Sequence, residues 1–170
     1  MLEIRPATAS DAARHHAFFI HLVETADTML LLPDEARARS VEQLAETLAR
    51  FAALDNHCFL IALSGDRQVG FLSVMGGAAH KNRGVGYIVA GVAADVRRQG
   101  VGRALFAAAE QWARGAGLWR LELTVMQDNL PARALYRAAG FEEEGIKRHT
   151  LHWNNRFVDE IMMARLLVPA

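Results

Sequence analysis

The chemistry most legible in this sequence lies in the stretch Val92-Ala93-Ala94-Asp95-Val96-Arg97-Arg98-Gln99-Gly100-Val101-Gly102-Arg103-Ala104-Leu105. An apolar run ends, a short basic loop carries two glycines, and a helical pattern begins. A helix N-terminus presents unsatisfied N–H groups and partial positive charge, which together suit a pyrophosphate. Gly100 and Gly102 lack the Cβ atoms that would hold phosphate oxygens off the backbone. Arg97, Arg98 and Arg103 concentrate positive charge here, in a chain whose 19 Lys plus Arg balance 19 Asp plus Glu. A Walker A loop needs a lysine after its glycine, and none follows either one. A dinucleotide fingerprint needs a glycine three residues after Gly102, where Leu105 stands. Solvated arginines at a helix start are the plainer alternative. Three arginines and two glycines within seven residues, directly after a strand, count against it.

Other reactive side chains are less organised. Cys58 is the only cysteine, so no internal disulfide forms, and its apolar run His57–Leu63 reads as a buried strand rather than a nucleophile's setting. The seven histidines, His15, His16, His21, His57, His80, His149 and His152, show no metal-ligand spacing with cysteine or carboxylate, so no metal is expected. The zero charge balance and the lack of interleaved aromatics argue against nucleic-acid binding through Arg97, Arg98, Arg103 and Arg133.

Arg97-Arg98-Gln99-Gly100-Val101-Gly102-Arg103-Ala104 resembles the acetyl-CoA motif Gln/Arg-x-x-Gly-x-Gly/Ala of the GCN5-related N-acetyltransferases (GNAT). Downstream, Asn129-Leu130-Pro131-Ala132-Arg133-Ala134-Leu135-Tyr136-Arg137-Ala138-Ala139-Gly140-Phe141 is similar to the family's Asn-x-x-Ala-x-x-Leu-Tyr-x-x-x-Gly-Phe segment. The likeness covers essentially the whole chain, with residues 1–60 matching only in element pattern. It implies acetyl transfer from acetyl-CoA, a co-substrate, to a primary amine by direct attack on the thioester. It implies that Val92 and Ala94 line the pantetheine arm, beside a strand splayed from its neighbour. The backbone N–H groups of Arg97, Arg98, Gln99, Gly100, Val101, Gly102 and Arg103 would hold the pyrophosphate, and an N–H near Val92 would polarise the thioester carbonyl. By the same resemblance Asn129 contacts the cofactor arm, and Tyr136 donates a proton to the departing thiolate. For the base, Glu122 is the candidate, set evenly against its reading as a solvated or ion-paired strand glutamate, and a water chain is the other route. A bulky residue at position 102 is expected to abolish cofactor affinity while the fold survives.

These residues require a scaffold, and the periodicities supply one. Strands are expected over Leu2–Pro6, Cys58–Leu63, Val69–Met75, Tyr87–Val92, Trp119–Val125, Gly145–Trp153 and Phe157–Leu166. Helices are expected over Ala12–Glu24, from Ser40 to about Leu54 behind a Ser40/Gln43 capping box, over Gly100–Ala116, and over Asn129–Ala139. Residues 25–39, with Pro33, read as a loop with at most a turn of helix. The order β-α-α-β-β-β-α-β-α-β-β implies an α/β (α+β) fold, a mixed, mostly antiparallel sheet of about seven strands covered by helices, in a single domain over 1–170.

The acceptor is less defined. Glu24, Asp27, Asp34 and Glu35 make one segment acidic, with no lysine or arginine between residues 15 and 36. A cationic small amine, amino acid or peptide N-terminus is the acceptor this suggests. His149 and Trp153 are candidates to shape its pocket. The apolar strand Ile161–Leu167 is expected near a sheet edge, where it would invite a homodimer. With neither a basic-then-apolar leader nor an apolar run long enough to span a bilayer, a cytoplasmic protein without a membrane partner is expected. The rival reading is a non-catalytic acyl-CoA-binding sensor, which would need the 97–103 loop but not Tyr136.

Overall fold

A computed structural model describes residues 1–168. Seven strands form one sheet in the order β1-β2-β3-β4-β5-β7-β6. They are β1 (Leu2–Pro6), β2 (Cys58–Ser64), β3 (Arg67–Gly76), β4 (Val85–Val92), β5 (Arg120–Met126), β6 (Glu142–Trp153) and β7 (Arg156–Leu166). Every neighbouring pair is antiparallel except β4 and β5, which run parallel. Among the described residues five α-helices accompany the sheet, besides three single 3-10 turns: α1 (Ala12–Thr25), α2 (Pro33–Arg37), α3 (Val41–Ala53), α4 (Val101–Gly115) and α5 (Leu130–Ala138).

Local signals explain most boundaries. The Ser40 hydroxyl accepts from the Gln43 N–H at 3.2 Å while the Gln43 side chain accepts from the Ser40 N–H at 3.0 Å, closing the expected box at the start of α3. Asn129 caps α5 by accepting from the Ala132 N–H at 3.2 Å. Asn154 and Asn155 take φ of 51° and 56°, as a two-residue hairpin turn between β6 and β7 demands. The segment after α1 holds a short helix, α2, because Pro33 begins it with a preset φ and Glu35 folds back onto the Leu32 N–H at 2.8 Å.

Alternation along the strands sends two sets of side chains to opposite faces. Leu72, Val74, Ile88, Leu121, Leu123, Val125, Ile161 and Met163 pack with Val101, Leu105, Phe106 and Ala109 of α4. Leu135 and Tyr136 of α5 join this larger cluster. On the other face Ile61 and Leu63 meet Leu48 of α3, and Phe71 meets Phe18 and Leu22 of α1.

The apolar strand expected near an edge is β7; it lies next to the edge strand β6 and is paired on both sides, to β5 and to β6, so it has no open backbone edge of its own. Val158, Ile161, Met163 and Ala164 are buried while Phe157, Met162 and Leu166 are exposed, and with both backbone edges paired the strand-pairing argument for a homodimer lapses. The edges are β1 and the polar, bulged β6. Among the described residues no helix is long and apolar enough to cross a membrane.

Candidate functional site

The parallel pair β4 and β5 is joined only at Val85–Arg120, Gly86–Leu121 and Tyr87–Glu122. Beyond Tyr87 the two strands part. Both continue, β4 to Val92 and β5 to Met126, so the sheet opens into a fork. The β4 edge facing β5 keeps unpaired backbone N–H and C=O groups there, which an extended ligand with amides can satisfy as a strand would. A cleft of ≈ 750 Å³ occupies the fork and runs between α4, α5 and the β6–β7 hairpin. Ala90, Gly91, Val92, Arg97, Arg98, Gly100, Gly102, Arg103, Asn129 and Tyr136 are among the residues that line it.

At one end α4 begins. Its first intrahelical bond in this turn runs from the Ala104 N–H to the Gly100 C=O at 3.0 Å, so the N–H groups of Val101, Gly102 and Arg103 remain free for an anion. Gly100 holds φ 87° with open space where a Cβ would stand, a conformation that needs glycine. Arg98 also adopts a positive φ of 61°, a cost of the kind that collects at functional sites. Arg97, Arg98 and Arg103 form no ion pair among the described residues. Arg133, by contrast, is spent on Glu143 and on the Gln127 carbonyl, 2.9 and 2.8 Å away.

Gly102 has a second duty that spacing does not reveal. A Cβ added there would lie 2.8 Å from Cδ2 of Leu135, so glycine also lets α4 and α5 approach. A bulky residue at 102 would therefore also press on the Leu135 side chain and cost stability beside any loss of cofactor affinity.

Tyr136 stands at the other end of the cleft, between Phe106 (ring centroids 5.3 Å) and Phe141 (6.3 Å). Burial, with a lesser contribution from nearby Tyr87, pushes its hydroxyl up to about 12, so it holds its proton at neutral pH. No hydrogen bond contributes to that shift. The hydroxyl is a proton-bearing donor beside the cleft.

Two expected site residues, Glu122 and Ala94, fall elsewhere. Glu122 sits at the last β4–β5 pair, and its carboxylate accepts from Arg120 Nε at 2.7 Å; it is not part of the cleft wall. Arg120 also grips Glu144, so Glu122 belongs to a three-residue ion cluster. Ala94 is exposed on a single 3-10 turn outside the cleft. The N–H groups of Arg97 and Gln99, expected on the pyrophosphate, donate instead to the Ala94 and Val96 carbonyls at 3.4 Å, and the Gln99 side chain donates to the Asp95 carbonyl at 3.1 Å. The Val101 side chain is buried under α4, leaving only its N–H for a ligand. Cys58 is buried in the core and its thiol is pushed up to about 11 by burial, which disfavours thiolate chemistry.

The acidic segment is largely neutralised. Arg37, one residue past the stretch read as free of cations, pairs with Glu24 and, at 2.9 Å, with Asp34. Glu35 is taken by its cap. Asp27 alone of the four lines the cleft. Trp153 also reaches the cleft, whereas the His149 ring stacks on Phe157 at 4.8 Å away from it. Sequence reading missed a polar row on the face opposite Tyr136. Tyr87 Oη lies 2.9 Å from Thr124 Oγ1, which donates to Glu160 Oε1 at 2.8 Å. The three residues come from β4, β5 and β7, and no local spacing joins them.

Comparison with known proteins adds to this geometry. A family model described as Acetyltransferase (GNAT) family matches residues 26–141. A GNAT-family acetyltransferase of Streptococcus pneumoniae is similar in structure, with a TM-score of 0.93, 28% identity, and coverage of 98% of this chain and 99% of that one. A ribosomal-protein-alanine N-acetyltransferase of Brucella melitensis aligns with a TM-score of 0.84 and 24% identity over 96% of this chain and 99% of its own. A phosphinothricin acetyltransferase of Sinorhizobium meliloti, in complex with acetyl-CoA, aligns at 0.83 and 18% identity over 97% and 88% of the two chains. The last two likenesses speak to the fold alone. No curated protein matches the sequence.

Proposed function

The chain belongs to the acetyltransferase (GNAT) family, and from that premise we propose that it transfers the acetyl group of acetyl-CoA to the primary amine of a small molecule, an amino acid or a peptide N-terminus. The observation that carries this reading is the fork between β4 and β5, which leads from the free N–H groups of α4 to the Tyr136 hydroxyl. Bound there, acetyl-CoA supplies an acyl group activated as a thioester. The N–H groups of Val101, Gly102 and Arg103, with the unpaired Arg97, Arg98 and Arg103, would hold its phosphates. The open β4 edge over Ala90–Val92 would bind the amides of the arm, and an N–H of that edge would meet the charge developing on the carbonyl oxygen.

The rest is the work of this chain's side chains. An alkylamine of pKa about 10.4 arrives protonated and must lose a proton before it attacks. The departing thiolate must gain one, and the Tyr136 hydroxyl holds a proton for it. Asn129 fixes the start of α5, which positions Tyr136 two turns on, and its remaining polar capacity faces the cleft. Asp27 at the cleft rim favours a cationic acceptor. The test is a thermal-shift titration with acetyl-CoA, followed by thiol release against amines, amino acids and peptides. A stabilised protein that releases thiol only when an amine is present supports the proposal. Release favouring alcohols over amines would sink it.

A further inference from the structure

We infer that Tyr87, Thr124 and Glu160 form the path by which the acceptor's ammonium loses its proton, with Glu160 as the terminal acceptor. This rests on the amine-acetylation reading and assigns the base it leaves open. Thr124 Oγ1 donates to Glu160 Oε1 at 2.8 Å, so the Tyr87 hydroxyl, 2.9 Å from the same oxygen, must donate to Thr124. Each member therefore gives its proton in one direction, and the second lone pair of Tyr87 Oη is the open end.

The row lies beside the cleft rather than in its wall, next to residues that line it. Tyr87 is the last β4 residue paired to β5, and Thr124 is the next residue but one beyond its partner Glu122, already inside the fork. Met126 and Val158, two residues on from Thr124 and two before Glu160 on the same faces of β5 and β7, line the cleft. Thr124 and Glu160 alternate with the core residues Leu123, Val125 and Ile161, so the row lies on the face opposite α4 and α5. Tyr136 approaches from the α5 side. A thioester held in the fork would thus have a proton donor on one side of the sheet and a proton acceptor on the other. Glu122, the carboxylate that β5 itself places on this face, is already held by Arg120. Lys147 stands opposite Glu160 in the β6–β7 register, and Tyr87 is the titratable group of β4 in the row.

The proton count closes. The ammonium gives its first proton to Tyr87 Oη as Tyr87 passes its own to Thr124 and Thr124 passes one to Glu160, which later releases it to water. The neutral nitrogen then forms the C–N bond, and the C–S bond breaks. The second nitrogen proton, lost from the tetrahedral adduct, balances the one Tyr136 gives to sulfur. Glu160 acts through two hydroxyls and is a positioning and proton-accepting residue; only Tyr87 touches the amine.

The experiment compares wild type with Glu160→Gln, Glu160→Asp and Thr124→Val. The probe is whichever of spermidine, L-phosphinothricin, the free amino acids or an alanine-initiated peptide wild type acetylates fastest. At neutral pH, kcat/KM of Glu160→Gln should fall about ten- to a hundredfold, with acetyl-CoA affinity by calorimetry unchanged. That deficit should shrink as pH approaches the amine pKa of about 10.4, because free amine then needs no base. Glu160→Asp should recover part of the rate. Thr124→Val should lose as much as Glu160→Gln, and the double variant no more than either. A deficit independent of pH, or one confined to KM, overturns the relay while leaving the acetyltransferase reading intact. If wild type acetylates none of the amines, both readings fall.

Discussion

Replacing Gly102 by alanine separates two duties that one glycine performs. The new Cβ would sit 2.8 Å from Leu135 Cδ2. Carbon atoms settle at about 3.5–4.0 Å, so α5 or the Leu135 side chain must retreat by roughly 1 Å. Overpacking of this kind costs about 1–3 kcal/mol. Alanine's better helix propensity offsets at most about 1 kcal/mol, leaving a net loss of about 1 kcal/mol. For a chain of this length that lowers Tm by about 2–4 °C. Leu135→Ala leaves a small void at a half-buried position but removes the clash. Urea midpoints of wild type, Gly102→Ala, Leu135→Ala and the double variant form a cycle. The predicted coupling is about 1 kcal/mol in favour of the double variant. Additive losses would refute the claim that Gly102 serves the α4–α5 seam. The same four proteins test the cradle. If phosphate also approaches the Gly102 backbone, the double variant must bind acetyl-CoA more weakly than Leu135→Ala alone. Equal affinities would show that only packing needs the glycine.

The remaining predictions concern single groups. Tyr136→Phe should lower turnover about ten- to a thousandfold with acetyl-CoA binding and Tm nearly unchanged; wild-type turnover would show that the thiolate is served otherwise. Glu122→Gln should stay within about twofold of wild type, since the carboxylate is engaged by Arg120 outside the cleft; a loss above tenfold would reinstate it as base. His15 is buried among Phe18, Phe59 and Phe71, and that burial pushes it down from 6.5 to about 4. The folded state thus prefers neutral His15, so its stability is full above pH 6.5 and is lost as pH falls toward 4, by about 3 kcal/mol in all. His15→Phe should flatten urea stability measured across that window, and an unchanged slope would contradict the assignment. Asp27→Asn should raise KM for a cationic amine most at low salt; a salt-independent change would place Asp27 outside acceptor attraction.

Much of the scaffold was legible because its signals are local. The Ser40/Gln43 box, the Asn154-Asn155 turn and the helix-ending Gly117 and Gly140, at φ 74° and 83°, each involve residues a few positions apart. The loop that lines one end of the cleft was legible for the same reason, since Arg97 through Arg103 is one loop and one helix start. The rest depends on which strands become neighbours. Nothing in the period-2 pattern of Ile161–Leu166 says that β6 will pair along its outer side, so a strand next to the edge looked open to pairing. Glu122 looked like a base because its strand borders the fork, and only the fold supplies Arg120 and Glu144 to hold it in place. Arg37 cancels two carboxylates across a loop of irregular backbone. The Leu135 methyl that makes Gly102 a packing residue comes from a helix 33 positions downstream.

The central claim, acetyl transfer from acetyl-CoA to an amine in the β4–β5 fork, is tested most directly by mass spectrometry of reactions with acetyl-CoA and each amine, run for wild type and Tyr136→Phe. The account predicts an N-acetylated amine formed one-for-one with free CoA thiol, by wild type and much more slowly by the variant. Tight acetyl-CoA binding with no acetylated product from any amine would contradict it and leave a cofactor-sensing module instead.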